Sequence, residues 1–172
     1  MWTLDGVIYY ATQMHRGQTR KTTGEPYISH CFSVAGIVAG IGGNINHIAA
    51  ALLHDTIEDT PCDINEVETL TNKYIAELVY YVTDQSKKED GNRAVRKEID
   101  KKHIASGNYW SKTIKLADLI DNSKTIALYD KSFAKVYMRE KQNLLAVLSD
   151  GNRELFNIAN NIVKDYFKNN GE

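Results

Sequence analysis

In the run Ala50-Ala51-Leu52-Leu53-His54-Asp55-Thr56-Ile57-Glu58-Asp59-Thr60, four ionisable side chains fall within six positions behind an apolar stretch. They are His54, Asp55, Glu58 and Asp59. On a helix of about 3.6 residues per turn, side chains four apart share a face, so His54 lies above Glu58 and Asp55 above Asp59. The other side, with Ala49, Leu52 and Leu53, is expected to be buried. Ionisable groups at the margin of a core are costly without a compensating charge, and a divalent metal is the usual compensation. The run is therefore expected to supply half of a metal site and its acid–base groups.

Neighbouring helical side chains diverge by about 100°, so an ion held by His54 and Asp55 needs ligands from other helices. His30 is one candidate, after the turn Gly24-Glu25-Pro26-Tyr27-Ile28-Ser29 and at the start of a helix. Asp118 is the other, inside the mostly apolar run Ile114-Lys115-Leu116-Ala117-Asp118-Leu119-Ile120. A carboxylate in such a run needs a partner, because burying it bare costs several kcal/mol. Two imidazoles and two carboxylates, with positions left for water, suit a six-coordinate Mn²⁺ or Fe²⁺ better than a closed structural zinc. Such an ion acidifies a water and offsets charge on a phosphoryl oxygen. Glu58 and Asp59 could then orient that water and handle protons. A His-Asp pair also serves as a salt-bridged helix cap, and an Asp in an apolar run also pairs with Arg. The co-occurrence of His, His-Asp and Asp, each at the rim of an apolar helix, favours the metal.

The elements that must position these groups read as helices. Leu155, Ile158, Ala159, Ile162, Val163, Tyr166 and Phe167 follow a three–four spacing, as do Phe133, Val136, Tyr137, Leu144, Val147 and Leu148. Val34, Ile37, Val38 and Ile41 make a third stripe, ended at Gly42-Gly43. Asp63 followed by Glu66 has the form of a capping box. Such segments place helices at about 3–15, 30–41, 45–58, 63–72, 75–84, 91–106, 109–124, 131–149 and 152–168, with ends good to about two to four residues. Tyr80-Tyr81-Val82-Thr83 has strand propensity but lies in a helical frame. The expectation is an all-α bundle of eight or nine helices in one domain, residues 1–172.

With 21 basic and 22 acidic residues the net charge is −1, so no global field recruits nucleic acid or an anionic membrane, and phosphate-binding charge must be local. Val34 to Gly43 is too short to span a bilayer, and the N-terminus lacks a signal-peptide pattern. Cys31 and Cys62 have no CxxC spacing, and a cytoplasmic protein with reduced thiols is expected.

The segments HRGQTRKTTGEPYISH (15–30), AALLHDTIEDT (50–60), LVYYVTD (78–84) and TIKLADLIDN (113–122) together resemble the HD-domain metal-dependent phosphohydrolases. Within these they resemble the alarmone hydrolases, meaning the hydrolase domain of RelA/SpoT-type proteins and its small free-standing relatives. The resemblance implies a helical HD-domain fold and Mn²⁺-dependent removal of the 3′-pyrophosphate from ppGpp or pppGpp, a small-molecule guanine nucleotide. By position, His30, His54, Asp55 and Asp118 match the metal ligands and Glu58 and Asp59 the catalytic pair. Arg20 and Lys21 match residues on the guanine side of the pocket, and Asn122 and Thr125 match nucleotide contacts. Asn122 lies one turn beyond Asp118, and the flat guanidinium of Arg20 can stack on a base. Lys124 stands where many relatives carry Arg, which replaces a two-pronged phosphate contact with a point charge. The chain ends at Glu172, so the resemblance implies a stand-alone hydrolase without a synthetase domain.

Lys87 to His103 holds seven Lys/Arg and four Asp/Glu and reads as a solvated helix face, with Arg93 or Arg96 over the pyrophosphate as the lesser reading. His47 and His103 are expected at the surface or in caps. His15 matches the family pattern but equally suits a helix-end histidine, and Tyr27 is placed to support His30. Two rival activities share this residue set: an HD phosphohydrolase acting on NADPH or another nucleotide, and a non-catalytic HD module that binds nucleotides.

Overall fold

Ten α-helices and no β-strand occur among the described residues, 1–21 and 23–171, of the computed structural model. They are α1 (Leu4–Met14), α2 (Ile28–Gly40), α3 (Ile45–Leu53), α4 (Thr56–Asp59), α5 (Ile64–Leu70), α6 (Lys73–Val82), α7 (Arg93–Ala105), α8 (Tyr109–Tyr129), α9 (Lys131–Leu145) and α10 (Arg153–Asn169), with a 3₁₀ turn at Lys88–Asp90. The all-α expectation holds, including the helical state of Tyr80 to Val82. The expected helix 45–58 is two helices, however, and α8 runs five residues further than its apolar pattern. No helix among the described residues is long and apolar enough to cross a membrane.

Short polar side chains start most of these helices. Asn44, Asp63, Asn72, Asn92, Asn108 and Asn152 each accept hydrogen bonds from the otherwise unpaired amides of the first turn. Asp63 and Glu66 form the expected reciprocal box. His47 does the same for Asn44, its Nδ1 accepting from the Asn44 amide at 3.1 Å. His47 is thus a capping residue, but a buried one.

The chain forms two compact units, Met1–Asp84 and Gln85–Glu172. In the first, α3 packs against α1, α2 and α6, and α5 packs against α6. Ala49, Ala50, Ala51, Leu52 and Leu53 are all buried, so the C-terminal half of α3 is apolar all round and its alanines let neighbouring helices come close. In the second unit α8 packs against α7, α9 and α10, and α9 against α10. Leu116 to Ile120 of α8 are buried without interruption.

The near-zero net charge conceals a division between the units. Residues 1–84 carry four Lys/Arg against ten Asp/Glu, whereas residues 85–172 carry seventeen against twelve.

One buried carboxylate in the second unit went unnoticed in the sequence. Asp100 accepts from the Gln85 amide at 3.0 Å, the Ser86 amide at 2.9 Å and the Ser86 hydroxyl at 3.0 Å, and pins residues 85–86 to α7. Replacing it with Ala leaves these donors unmatched. Asp100→Ala is expected to destabilise the protein by about 3 kcal/mol, read from the midpoint of urea unfolding.

Candidate metal centre

The helix expected over 45–58 breaks at the residues that carry its chemistry. His54 Nδ1 lies 2.8 Å from the Ala51 carbonyl, and the Thr56 hydroxyl donates to the Leu53 carbonyl at 2.5 Å. In an unbroken helix both carbonyls would take backbone amides one turn on, so the side chains compete with the helix and end it. α3 stops at Leu53, α4 begins at Thr56, and His54 and Asp55 occupy the joint. This corrects the expected geometry, in which His54 and Asp55 stood above Glu58 and Asp59 on one continuous helix.

Both joint residues keep right-handed helical backbone angles, and their side chains meet His30, in the first turn of α2. His54 Nε2 lies 3.0 Å from Asp55 Oδ2, and His30 Nε2 lies 3.4 Å from the same oxygen. One ligand atom from each residue lies within 4.8 Å of the other two. His30 and His54 are each 1% exposed and Asp55 8%. Tyr27 donates its hydroxyl hydrogen to Asp55 Oδ2 at 2.6 Å. Its support therefore goes to Asp55, with the His30 ring meeting it edge-on at 5.8 Å.

Burial by itself would raise the Asp55 pKa. The His54 charge and hydrogen bonds from His30 and His54 overcome it and hold the carboxyl well below the ordinary range. Burial, then the charge of Asp55, pushes the Tyr27 phenol strongly up, so Tyr27 remains a donor. A carbonyl only accepts, so His54 Nδ1 carries the proton and Nε2 presents its lone pair in the neutral ring. Ring nitrogens and a carboxylate oxygen that face one another away from water need a cation between them, a proton or a metal. The donor set fits a divalent ion, with His30, His54 and Asp55 as its holders.

Glu58 and Asp59 are exposed and are held from outside α4. Glu58 Oε1 accepts from the Asp84 amide at 2.6 Å, and the Asp59 carbonyl accepts from Gln18 Nε2 at 2.7 Å. Both contacts were missed in the sequence. Asp84 closes LVYYVTD and Gln18 lies within HRGQTRK, but neither residue type announces a tether. Arg20 is buried on a tight turn, its amide donating to the Glu25 carbonyl at 2.8 Å, and Lys21 is exposed. Gly24 closes that turn at φ +75°, where a side chain would be strained.

The second unit holds the remaining candidates. Asp118 is buried on α8, accepts from Asn122 Nδ2 at 2.6 Å and lies 3.5 Å from Lys115 Nζ. Asn122 therefore orients Asp118, a direct contact that its one-turn spacing allows. The Thr125 hydroxyl donates to the Asn122 carbonyl at 3.1 Å. Arg93 is engaged within the unit, donating to both Glu140 carboxylate oxygens at 2.5 and 2.9 Å. That pairing fits the mixed-charge helix face.

Residues 8–154 match the HD domain family. The chain is 40% identical over 119 residues to the bifunctional (p)ppGpp synthase/hydrolase SpoT of Escherichia coli K12, covering 67% of this chain and 17% of that protein. It is 38% identical over 126 residues to a probable chloroplastic GTP diphosphokinase of Oryza sativa subsp. japonica, covering 69% of this chain and 17% of the relative. The chain thus spans about a sixth of the length of these curated relatives. Among solved structures it resembles a metazoan ortholog of SpoT, described as hydrolysing ppGpp, with a TM-score of 0.84 at 26% identity over 98% of this chain and 95% of the other.

Metal-stripped protein is expected to take up about one divalent ion per chain, and His54→Ala or Asp55→Ala to weaken that binding at least about hundredfold, as measured by calorimetric titration.

Proposed function

The chain belongs to the HD domain family, and from that membership we propose that it removes the 3′-pyrophosphate of ppGpp and pppGpp, leaving GDP or GTP. The observation that carries this reading is the convergence of His30 and His54 on Asp55 Oδ2 at 3.4 and 3.0 Å, beside two tethered, exposed acids. The long relatives are named for synthesis, hydrolysis or both, and the chain matches only about a sixth of each. A structural neighbour of matching length is described as hydrolysing ppGpp, and this favours hydrolysis.

His30, His54, Asp55 and Asp118 are the proposed holders of the ion, with Mn²⁺ as the favoured metal and Fe²⁺ or another divalent ion as substitute. When bound, a divalent ion supplies Lewis acidity that acidifies water and offsets charge on the phosphoryl oxygens. Glu58 and Asp59 align the attacking water and accept its proton. The new O–P bond forms as the bond from phosphorus to the ribose 3′-oxygen breaks, and that oxygen leaves with a proton returned by the acid pair. Pyrophosphate and the 5′-di- or triphosphate, GDP or GTP with its 3′-hydroxyl restored, result.

The Asp84 amide supports this role for Glu58, because a fixed carboxylate aligns a water better than a swinging one. Arg20 and Lys21 are the proposed guanine-side contacts, and the burial of Arg20 suits a guanidinium stacked against a base. Asn122 and Thr125 are the proposed nucleotide contacts on α8. The family match over 8–154 runs through both compact units, which supports reading residues 1–172 as one HD-type domain.

Glu58→Gln is expected to retain the metal while kcat falls by about two orders of magnitude or more, Asp118→Ala to lose metal and turnover together, and Arg20→Ala to raise KM chiefly. Turnover of ppGpp with Mn²⁺, followed by chromatography of pyrophosphate and GDP, checks each. Faster hydrolysis of NADPH than of ppGpp in the same panel overturns the substrate. Tight ppGpp binding without pyrophosphate release overturns the enzyme.

A further inference from the structure

A short helix cannot hold a catalytic acid in place unaided. α4 is four residues long, a single turn, and one turn fixes several backbone dihedrals for very little hydrogen bonding. Asp55 faces a related problem, because a carboxylate that swings about its terminal bond takes its ligand oxygen away from the two imidazoles. Both problems are met by the segment between α1 and α2.

His15 caps the C-terminus of α1 and is 2% exposed. Its Nδ1 lies 2.8 Å from Gln18 Oε1, and Gln18 Nε2 donates to the Asp59 carbonyl at 2.7 Å. The two contacts are consistent in only one arrangement. The Asp59 carbonyl can only accept, so the Gln18 amide nitrogen faces it and the amide oxygen faces His15, whose Nδ1 must donate. The His15 ring stacks on Tyr27 at 5.0 Å and 27°, and the Tyr27 amide donates to the Gln18 carbonyl at 2.9 Å. Gly17, at φ +82°, makes the turn that allows His15 and Gln18 to face each other.

We infer that Tyr27 and the His15–Gln18 pair are positioning residues built as one stacked unit, which fixes Asp55 through the Tyr27 hydroxyl and Asp59 through the Gln18 amide. The inference rests on the metal-centre reading above. It assigns the two arms different consequences. The Tyr27 hydroxyl donates to Asp55 and also interacts with the Asp59 carboxylate, so the Tyr27 arm governs metal affinity and bears on turnover as well. The Gln18 arm sets the acid pair and so governs turnover with metal already bound.

The test is calorimetric Mn²⁺ titration of the metal-stripped full chain, together with kcat and KM for ppGpp at saturating Mn²⁺. Tyr27→Phe keeps the ring stack and is expected to weaken Mn²⁺ binding about 10- to 100-fold. Gln18→Leu is expected to leave Mn²⁺ affinity within about twofold and KM unchanged, while kcat falls about tenfold or more. His15→Phe keeps the stack, loses the Nδ1 contact and should reproduce the Gln18→Leu loss, with the double variant no worse than either single one. If Tyr27→Phe unfolds, p-aminophenylalanine at position 27 restores a donor and must restore Mn²⁺ affinity. Wild-type protein that binds no Mn²⁺ defeats the metal centre itself. Wild-type binding matched by Tyr27→Phe, or Gln18→Leu with unchanged kcat, overturns this inference and leaves the metal centre standing.

Discussion

Two imidazole nitrogens and one carboxylate oxygen, nearly sealed from water, face one another across 3.0 and 3.4 Å, and they can stay so only with a positive charge among them. Unpaired, a buried carboxylate costs several kcal/mol or takes up a proton. The surrounding hydrogen bonds serve this one requirement. The Ala51 carbonyl fixes which nitrogen of His54 faces inward, and the Tyr27 hydroxyl fixes which oxygen of Asp55 meets it. A ready-ordered cradle of this kind gives up little entropy when an ion enters, so affinity depends on groups that never touch the ion.

The break between α3 and α4 follows from the same requirement. A continuous helix would splay His54 and Asp55 by about 100° and hold their backbone carbonyls in its own ladder. Side-chain capture of the Ala51 and Leu53 carbonyls dissolves the ladder at low cost, because the lost backbone bonds are replaced one for one. The two threonines of His54-Asp55-Thr56-Ile57-Glu58-Asp59-Thr60 then have a physical role. Thr56 satisfies Leu53 at the break, and Thr60 returns its hydroxyl to the Thr56 carbonyl at 2.6 Å to close the single turn of α4.

Helices with a clean apolar stripe were legible because burial imposes a period on their sequence. α10, with Leu155, Ala159 and Val163 buried, is an example, and so is α5 with its Asp63–Glu66 box. The His30, His54 and Asp55 group that the structure brings together was legible because histidine and aspartate at apolar helix rims are chemically conspicuous. The break at His54 was hidden, because each residue of 45–58 is compatible with a helix and only the hydrogen bonds of His54 and Thr56 decide otherwise. Gln18, Asp84 and Asp100 were hidden for another reason. An amide or carboxylate that serves a backbone group 41, 26 or 15 residues away leaves no local pattern in the chain.

Net charge misled in an instructive way. A value of −1 excludes a global field only if the charges are evenly mixed, and here they are sorted. Besides Asp55, nine acids against four bases share the unit of the His30, His54 and Asp55 cradle, and their summed potential favours a cation beyond what the three side chains supply. Seventeen bases against twelve acids give the other unit the opposite preference, for anions. Averaging over the whole sequence erased this sorting.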